Sequence, residues 1–149
     1  MSARVLAALA AAALIAGCTA APQPAAFEVE NAKCFKLTDA KVVELEGAGG
    51  GKAVVLTTAN GEAVAQVVLP PGTYNLVVYG YAPSYNEDRF YVTVGDYPEA
   101  KMVMSAIKKV APSNALKFKV DKLGPVKIRI SFGEDNVQFD RVLITPAVE

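Results

Sequence analysis

The chain has 149 residues, with 15 basic and 15 acidic side chains and no histidine. Charges of both signs are interspersed, which leaves no basic patch for a nucleic-acid backbone, and the lack of histidine excludes Ser-His-Asp and Cys-His catalysis and histidine-ligated metals. The length suits one domain with a single core.

Arg4 opens a short positive segment, residues 5–13 are apolar, and Leu14-Ile15-Ala16-Gly17-Cys18 is a small-residue cleavage site ending in cysteine. The apolar run is shorter than the ~20 residues of a membrane-spanning helix. The pattern resembles the lipobox of bacterial lipoproteins. That resemblance implies a signal peptide over 1–17, a lipid (palmitate) anchor at Cys18 holding the protein to a membrane of the cell envelope, and, with Thr19 rather than aspartate next, an outer-membrane destination. Removing residues 1–17 takes away one arginine and no acid, leaving 14 basic against 15 acidic groups and a net charge of −1. Residues 18–26, with TAAPQPAA, form a tether without periodicity. With Cys18 assigned to lipid, Cys34 reads as a small buried hydrophobe rather than a nucleophile, since no histidine stands by to activate it.

The domain is expected over 27–149, and its pattern is period two broken by turns. Residues 46–53, EGAGGGKA, lack the spacing of a phosphate loop and read as a hairpin loop. Segments 52–58 and 62–69 flank Asn60-Gly61, a strong hairpin signal, and Pro70-Pro71-Gly72 forces the next turn. In the strands that follow, Tyr74, Leu76 and Val78 share a face, as do Phe90, Val92 and Val94. The region 97–110 fits no single pattern and is left irregular. Leu116, Phe118 and Val120 alternate with Lys117 and Lys119, and Val126, Ile128, Ile130 and Phe132 with Lys127, Arg129 and Ser131, giving half-buried antiparallel strands. The expectation is an all-β antiparallel sandwich of about nine strands, a jelly roll.

The last strand, VQFDRVLITP, carries Asp140 and Arg141 among apolar residues. A buried carboxylate must reach water, a cation or a metal ion. FEVENA, LPPGTYNLVVYGYAPSYNEDRFYVTVGD and GEDNVQFDRVLITP, in that order, resemble the galactose-binding-like jelly roll of carbohydrate-binding modules, especially families six and thirty-five. The resemblance implies a structural calcium ion (Ca2+) held by a Glu-x-Glu pair in the first strand and an aspartate in the last, here Glu28, Glu30 and Asp140. Strand alternation puts both glutamates on one face, and calcium takes oxygen ligands alone. The alternative partner for Asp140 is a nearby cation such as Lys33 or Arg129.

Sugar recognition needs an aromatic face and planar polar groups on loops of a rigid scaffold. The loop over 82–89 supplies both; the same resemblance implies a second loop over 133–136 with an asparagine near the sugar, and Tyr81, Tyr85, Asn86, Arg89 and Asn136 are the expected ligand residues. The chain has no tryptophan, a departure from many such modules. The acid pairs Glu87/Asp88 and Glu134/Asp135 could in principle serve a glycosidase, but adjacent acids in turns are usually solvated, so no enzyme is expected. The sequence thus points to a lipid-anchored, non-catalytic carbohydrate-binding protein of the envelope; the alternative is an envelope lipoprotein that uses the sandwich for contacts with a protein partner.

Overall fold

The computed structural model describes residues 34–147 and the backbone of 25–28. Cys18, Glu30 and Lys33 lie outside these described residues. In chain order the strands are β1 (Ala25–Glu28), β2 (Phe35–Thr38), β3 (Ala40–Glu44), β4 (Lys52–Leu56), β5 (Glu62–Leu69) and β6 (Gly72–Tyr81). They continue as β7 (Arg89–Val94), β8 (Ala100–Val103), β9 (Val110–Pro112), β10 (Leu116–Val120), β11 (Gly124–Ser131) and β12 (Gln138–Pro146). One sheet has seven strands, ordered β10-β6-β12-β4-β3 with β1 paired to β12 and β9 to β6. The other has five, ordered β2-β5-β11-β7-β8.

Alternation along each strand sends one set of side chains into the space between the sheets. Tyr74, Leu76 and Val78 of β6, Phe90, Val92 and Val94 of β7, and Ile128 and Ile130 of β11 are all buried there, as the sequence pattern anticipates. Phe90 and Phe139 meet edge to face across the core at 5.0 Å between ring centroids, a geometry worth about 1 kcal/mol beyond area burial. At the far end Tyr74 stacks on Phe118 and donates its hydroxyl to the Pro70 carbonyl at 2.7 Å.

The structure corrects three details. Asn60-Gly61 does not close a hairpin, because β4 belongs to the seven-stranded sheet and β5 to the five-stranded one. The dipeptide's turn preference is local and does not choose the sheet that the next strand joins. Here Thr57 N–H is tied back to the Asp39 carbonyl at 2.7 Å, and a Cβ on Gly61 would stand 2.8 Å from Leu56 Cβ, so the glycine serves a tight corner between sheets. The irregular region contains β8, and β9 begins at Val110, so the described residues form twelve strands where about nine were expected. Cys34 is half-buried against the core and disulfide-bonded.

The glycine-rich segment is a hairpin loop as expected, joining the paired strands β3 and β4. It folds back over the sheet, with Gly47 at φ +88° against Val110 and Gly50 at φ +64°, conformations that disfavour a side chain.

Candidate functional site

The charge pair in the last strand sits on a β-bulge. Phe139 pairs with Gly80 and Arg141 with Tyr79, so Asp140 is the extra residue between two consecutive partners. On the other side of β12, pairing with β4 ends at Phe139 and pairing with β1 begins at Arg141. Asp140 therefore occupies the junction where one neighbouring strand gives way to another.

Its side chain is fully buried. Oδ1 accepts the Gly49 N–H at 3.0 Å, and Oδ2 accepts from Arg141 Nη1 at 2.7 Å. The Arg141 guanidinium in turn lies 4.2 Å over the Tyr79 ring. The cation that answers Asp140 is thus its own neighbour; Arg129 sits in the other sheet and faces Glu99 at 3.7 Å. Glu28 stands opposite Arg141 in the register, so the first and last strands do lie side by side. Among the described residues no group of three acidic, cysteine or histidine side chains surrounds a metal position.

The expected ligand residues separate into two places. Tyr85, Asn86, Arg89 and Asn136 belong to a loop cluster whose polar groups largely satisfy one another. Asn136 Nδ2 donates to Glu87 Oε2 at 2.6 Å, and Glu134 Oε1 accepts the N–H groups of Asp88 and Arg89 at 3.3 and 3.0 Å. The Asn86 N–H goes to Ser84 Oγ at 3.3 Å, and Arg89 Nε approaches the buried Asp88 at 3.8 Å. The buried Asp88 Oδ1 has no hydrogen-bond partner among the described residues, and the Tyr85 ring is 73% exposed. The acid pairs considered for catalysis are mostly tied up here: Glu87 and Glu134 hold loops together, and Asp88 is buried beside Arg89.

Tyr81 lies elsewhere. It lines a cleft of about 730 Å³ on the outer side of the seven-stranded sheet, together with Gln138, Glu44, Glu46, Lys108 and Lys109. Tyr81 and Gln138 are register partners on β6 and β12 and form adjacent parts of the wall. Gln138 Oε1 is buried without a hydrogen-bond partner among the described residues, and none of the four charged residues is ion-paired among them. Lys108 is held at φ +60° with its N–H on the Ala82 carbonyl at 2.7 Å, a conformation that costs about 1 kcal/mol or more for a residue with a side chain.

The sequence reading missed all of these partners except Tyr81. They come from the β3–β4 loop, the approach to β9 and the start of β12, segments far apart in the chain. The available signal was Gln138, a polar residue in a strand otherwise read as core.

No protein-family model matches the sequence, and no curated protein sequence matches it. Solved structures do match in fold. The native family 35 carbohydrate binding module from Clostridium thermocellum superposes with a TM-score of 0.68 at 16% identity, over 84% of this chain and 99% of that one. The CBM35 from Paenibacillus barcinonensis gives 0.64 at 17%, over 83% and 99%. The GH26-CBM35 beta-(1,4)-mannanase from Podospora anserina gives 0.73 at 19% over 86% of this chain, which spans only 28% of the mannanase. The chain has the antiparallel jelly-roll fold of family 35 carbohydrate-binding modules.

Proposed function

We propose that this chain is a non-catalytic carbohydrate-binding module whose saccharide site is the cleft at Tyr81 and Gln138. The observation that carries the reading is unspent hydrogen-bonding capacity beside an aromatic ring: the unpartnered Gln138 amide oxygen, two lysines and two glutamates around Tyr81. A tyrosine face takes the C–H surface of a sugar, and fixed amide and charged groups take its hydroxyls. The fold likeness to modules matched over nearly their whole length supports the same reading. In the loop cluster, Tyr85 offers an exposed ring to a longer glycan, while the Asn136 side chain and the backbone N–H groups of Asn86 and Arg89 hold the loop. A glycan array probed with the full-length protein and with Tyr81→Ala tests this. Signal lost in the variant at unchanged melting temperature supports the cleft; no glycan bound by the wild type overturns it and favours a scaffold for protein contacts.

A structural calcium ion belongs to the same proposal, with Glu28, Glu30 and Asp140 as its acidic ligands. Burial of Asp140 beside β1 favours it, and the Arg141 contact opposes it, because calcium would take the guanidinium's place on Oδ2. A thermal scan in EDTA against millimolar calcium decides: a higher midpoint with calcium supports the ion, and an unchanged one leaves Arg141 as the lasting counter-charge.

The proposal for location is a lipid anchor at Cys18 in the bacterial outer membrane, resting on the sequence pattern. A chain with two cysteines can give the Cys18 sulfur to a thioether or to a disulfide, not to both. Palmitate labelling that disappears in Cys18→Ala supports the anchor; labelling unchanged in that variant removes it.

A further inference from the structure

The glycine-rich loop between β3 and β4 forms part of the cleft wall: Leu45, Glu46 and Gly47 line it beside Tyr81, Lys108 and Gln138. Ordering such a segment costs more backbone entropy than usual, since Gly47 and the run Gly49-Gly50-Gly51 have no Cβ to restrict them. The loop's own hydrogen bonds shape it without fixing it to the sheet. Leu45 N–H reaches the Gly51 carbonyl at 2.9 Å, Ala48 N–H the Leu45 carbonyl at 3.2 Å, and Gly51 N–H the Ala48 carbonyl at 2.9 Å. Among the described residues, the one hydrogen bond that joins residues 45–51 to a distant strand runs from Gly49 N–H to Asp140 Oδ1 at 3.0 Å.

The bulge prepares Asp140 for that contact. As the extra residue, it stands where β4 has left β12 and β1 has not yet joined it, and bulges re-aim a side chain in this way. Arg141 Nη1 occupies Oδ2 while the guanidinium rests on the Tyr79 ring, which fixes the carboxylate and leaves Oδ1 to the loop. Pairing with Arg141 does not by itself require a fully buried carboxylate, because 32% of the Arg141 side chain is exposed. Burial keeps water from competing for Oδ1, and an N–H bond to a charged acceptor is about twice as strong as one between neutral groups.

We propose that Asp140 is a positioning residue for the cleft: its Oδ1 latches the glycine-rich loop through Gly49 and so fixes Glu46 and Gly47 as wall beside Tyr81. This rests on the reading of that cleft as the binding site, but the latch can be measured without a ligand.

The test compares 15N relaxation of the full-length wild type, Asp140→Ala and Gly49→Pro in EDTA, so that Arg141 alone serves Oδ2. Asp140→Ala removes both acceptors. Gly49→Pro deletes the donor and leaves the Asp140–Arg141 pair in place, which keeps the test decisive if Asp140→Ala does not fold. Proline is tolerated there because Gly49, unlike Gly50 and Gly51, has no positive φ, and Ala48 is already extended at φ −79°, ψ 156°. The Glu46 and Gly47 amides should fall from order parameters of about 0.85 to below about 0.6 in both variants. The Tyr81 and Gln138 amide signals should shift, while the buried Val67 and Ile130 of the opposite sheet keep their order. On a glycan array, glycans retained by the wild type should give several-fold lower signal with Gly49→Pro. An ordered loop in Gly49→Pro overturns the latch, even if Asp140→Ala loosens it or lowers the melting temperature, and leaves Asp140 as a counter-charge for Arg141. A loosened loop with unchanged glycan signal overturns the positioning role. A wild type that retains no glycan refutes the binding site instead, and the order parameters still decide whether the latch exists.

Discussion

The Tyr81 cleft and the loop cluster around Tyr85 and Asn136 contain similar residues, a tyrosine with amides, acids and basic groups, yet they differ in what those groups are doing. In the loop cluster Asn136 is spent on Glu87 and Glu134 on two backbone N–H groups, while the buried Asp88 Oδ1 has no hydrogen bond and faces Arg89 Nε at 3.8 Å. In the cleft the Gln138 amide oxygen and four charged side chains have no such partners among the described residues. Composition alone makes the loop look like the better site. The hydrogen-bond accounting reverses the order, because a group already satisfied by the protein gains little by turning to a ligand.

The largest effect is expected from Gly80→Ala. A Cβ there would collide with the Gln138 carbonyl oxygen and stand 2.6 Å from Met104 Cε, directly beneath the cleft. Overpacking of this kind is expected to cost about 3 kcal/mol in chemical denaturation and to disturb the cleft rather than the loop cluster. Next in size is Tyr81→Ala, expected to lower glycan affinity by about tenfold or more, the loss of one aromatic platform, with little change in melting temperature because the ring is on the outer face.

Asn136→Ala sharpens the contrast from the other side. Asn136 is at φ +64° and bonds Glu87, so the variant should lose about 1.5 kcal/mol of stability and no affinity; Asn136→Gly should recover the backbone part. The smallest effect is expected at Tyr74, remote from both places. Burial raises its hydroxyl above the ordinary 10.0, so the fold prefers the neutral form. This contribution is fully present below the unfolded-state value and is lost as pH rises through the higher folded-state value. Tyr74→Phe should cost about 1 kcal/mol at neutral pH through the lost bond to Pro70 and should weaken the alkaline decline seen in pH-dependent melting.

The sandwich was readable because inward positions repeat every second residue along β6, β7 and β11, and that period survives without knowledge of the partner strands. Pairing was less readable. Asn60-Gly61 encodes a tight turn whether the next strand joins the same sheet or the opposite one, and β8 and β9 are too short to show a period. The bulge at Asp140 could not be read either, since its partners are Gly49 from a distant loop and the guanidinium of the next residue. Of the cleft, Tyr81 and the polar Gln138 in an otherwise apolar strand carried a local signal; Glu44 and Lys108 join them only through β3, β6, β9 and β12 coming together.

The most direct test of the cleft is a glycan titration of 15N-labelled protein, followed through the amide signals of Tyr81, Lys108 and Gln138 and those of Asn86 and Asn136. The account predicts saturable shifts in the first set that exceed those in the second. Shifts confined to Asn86 and Asn136, with Tyr81 and Gln138 unmoved, would contradict it.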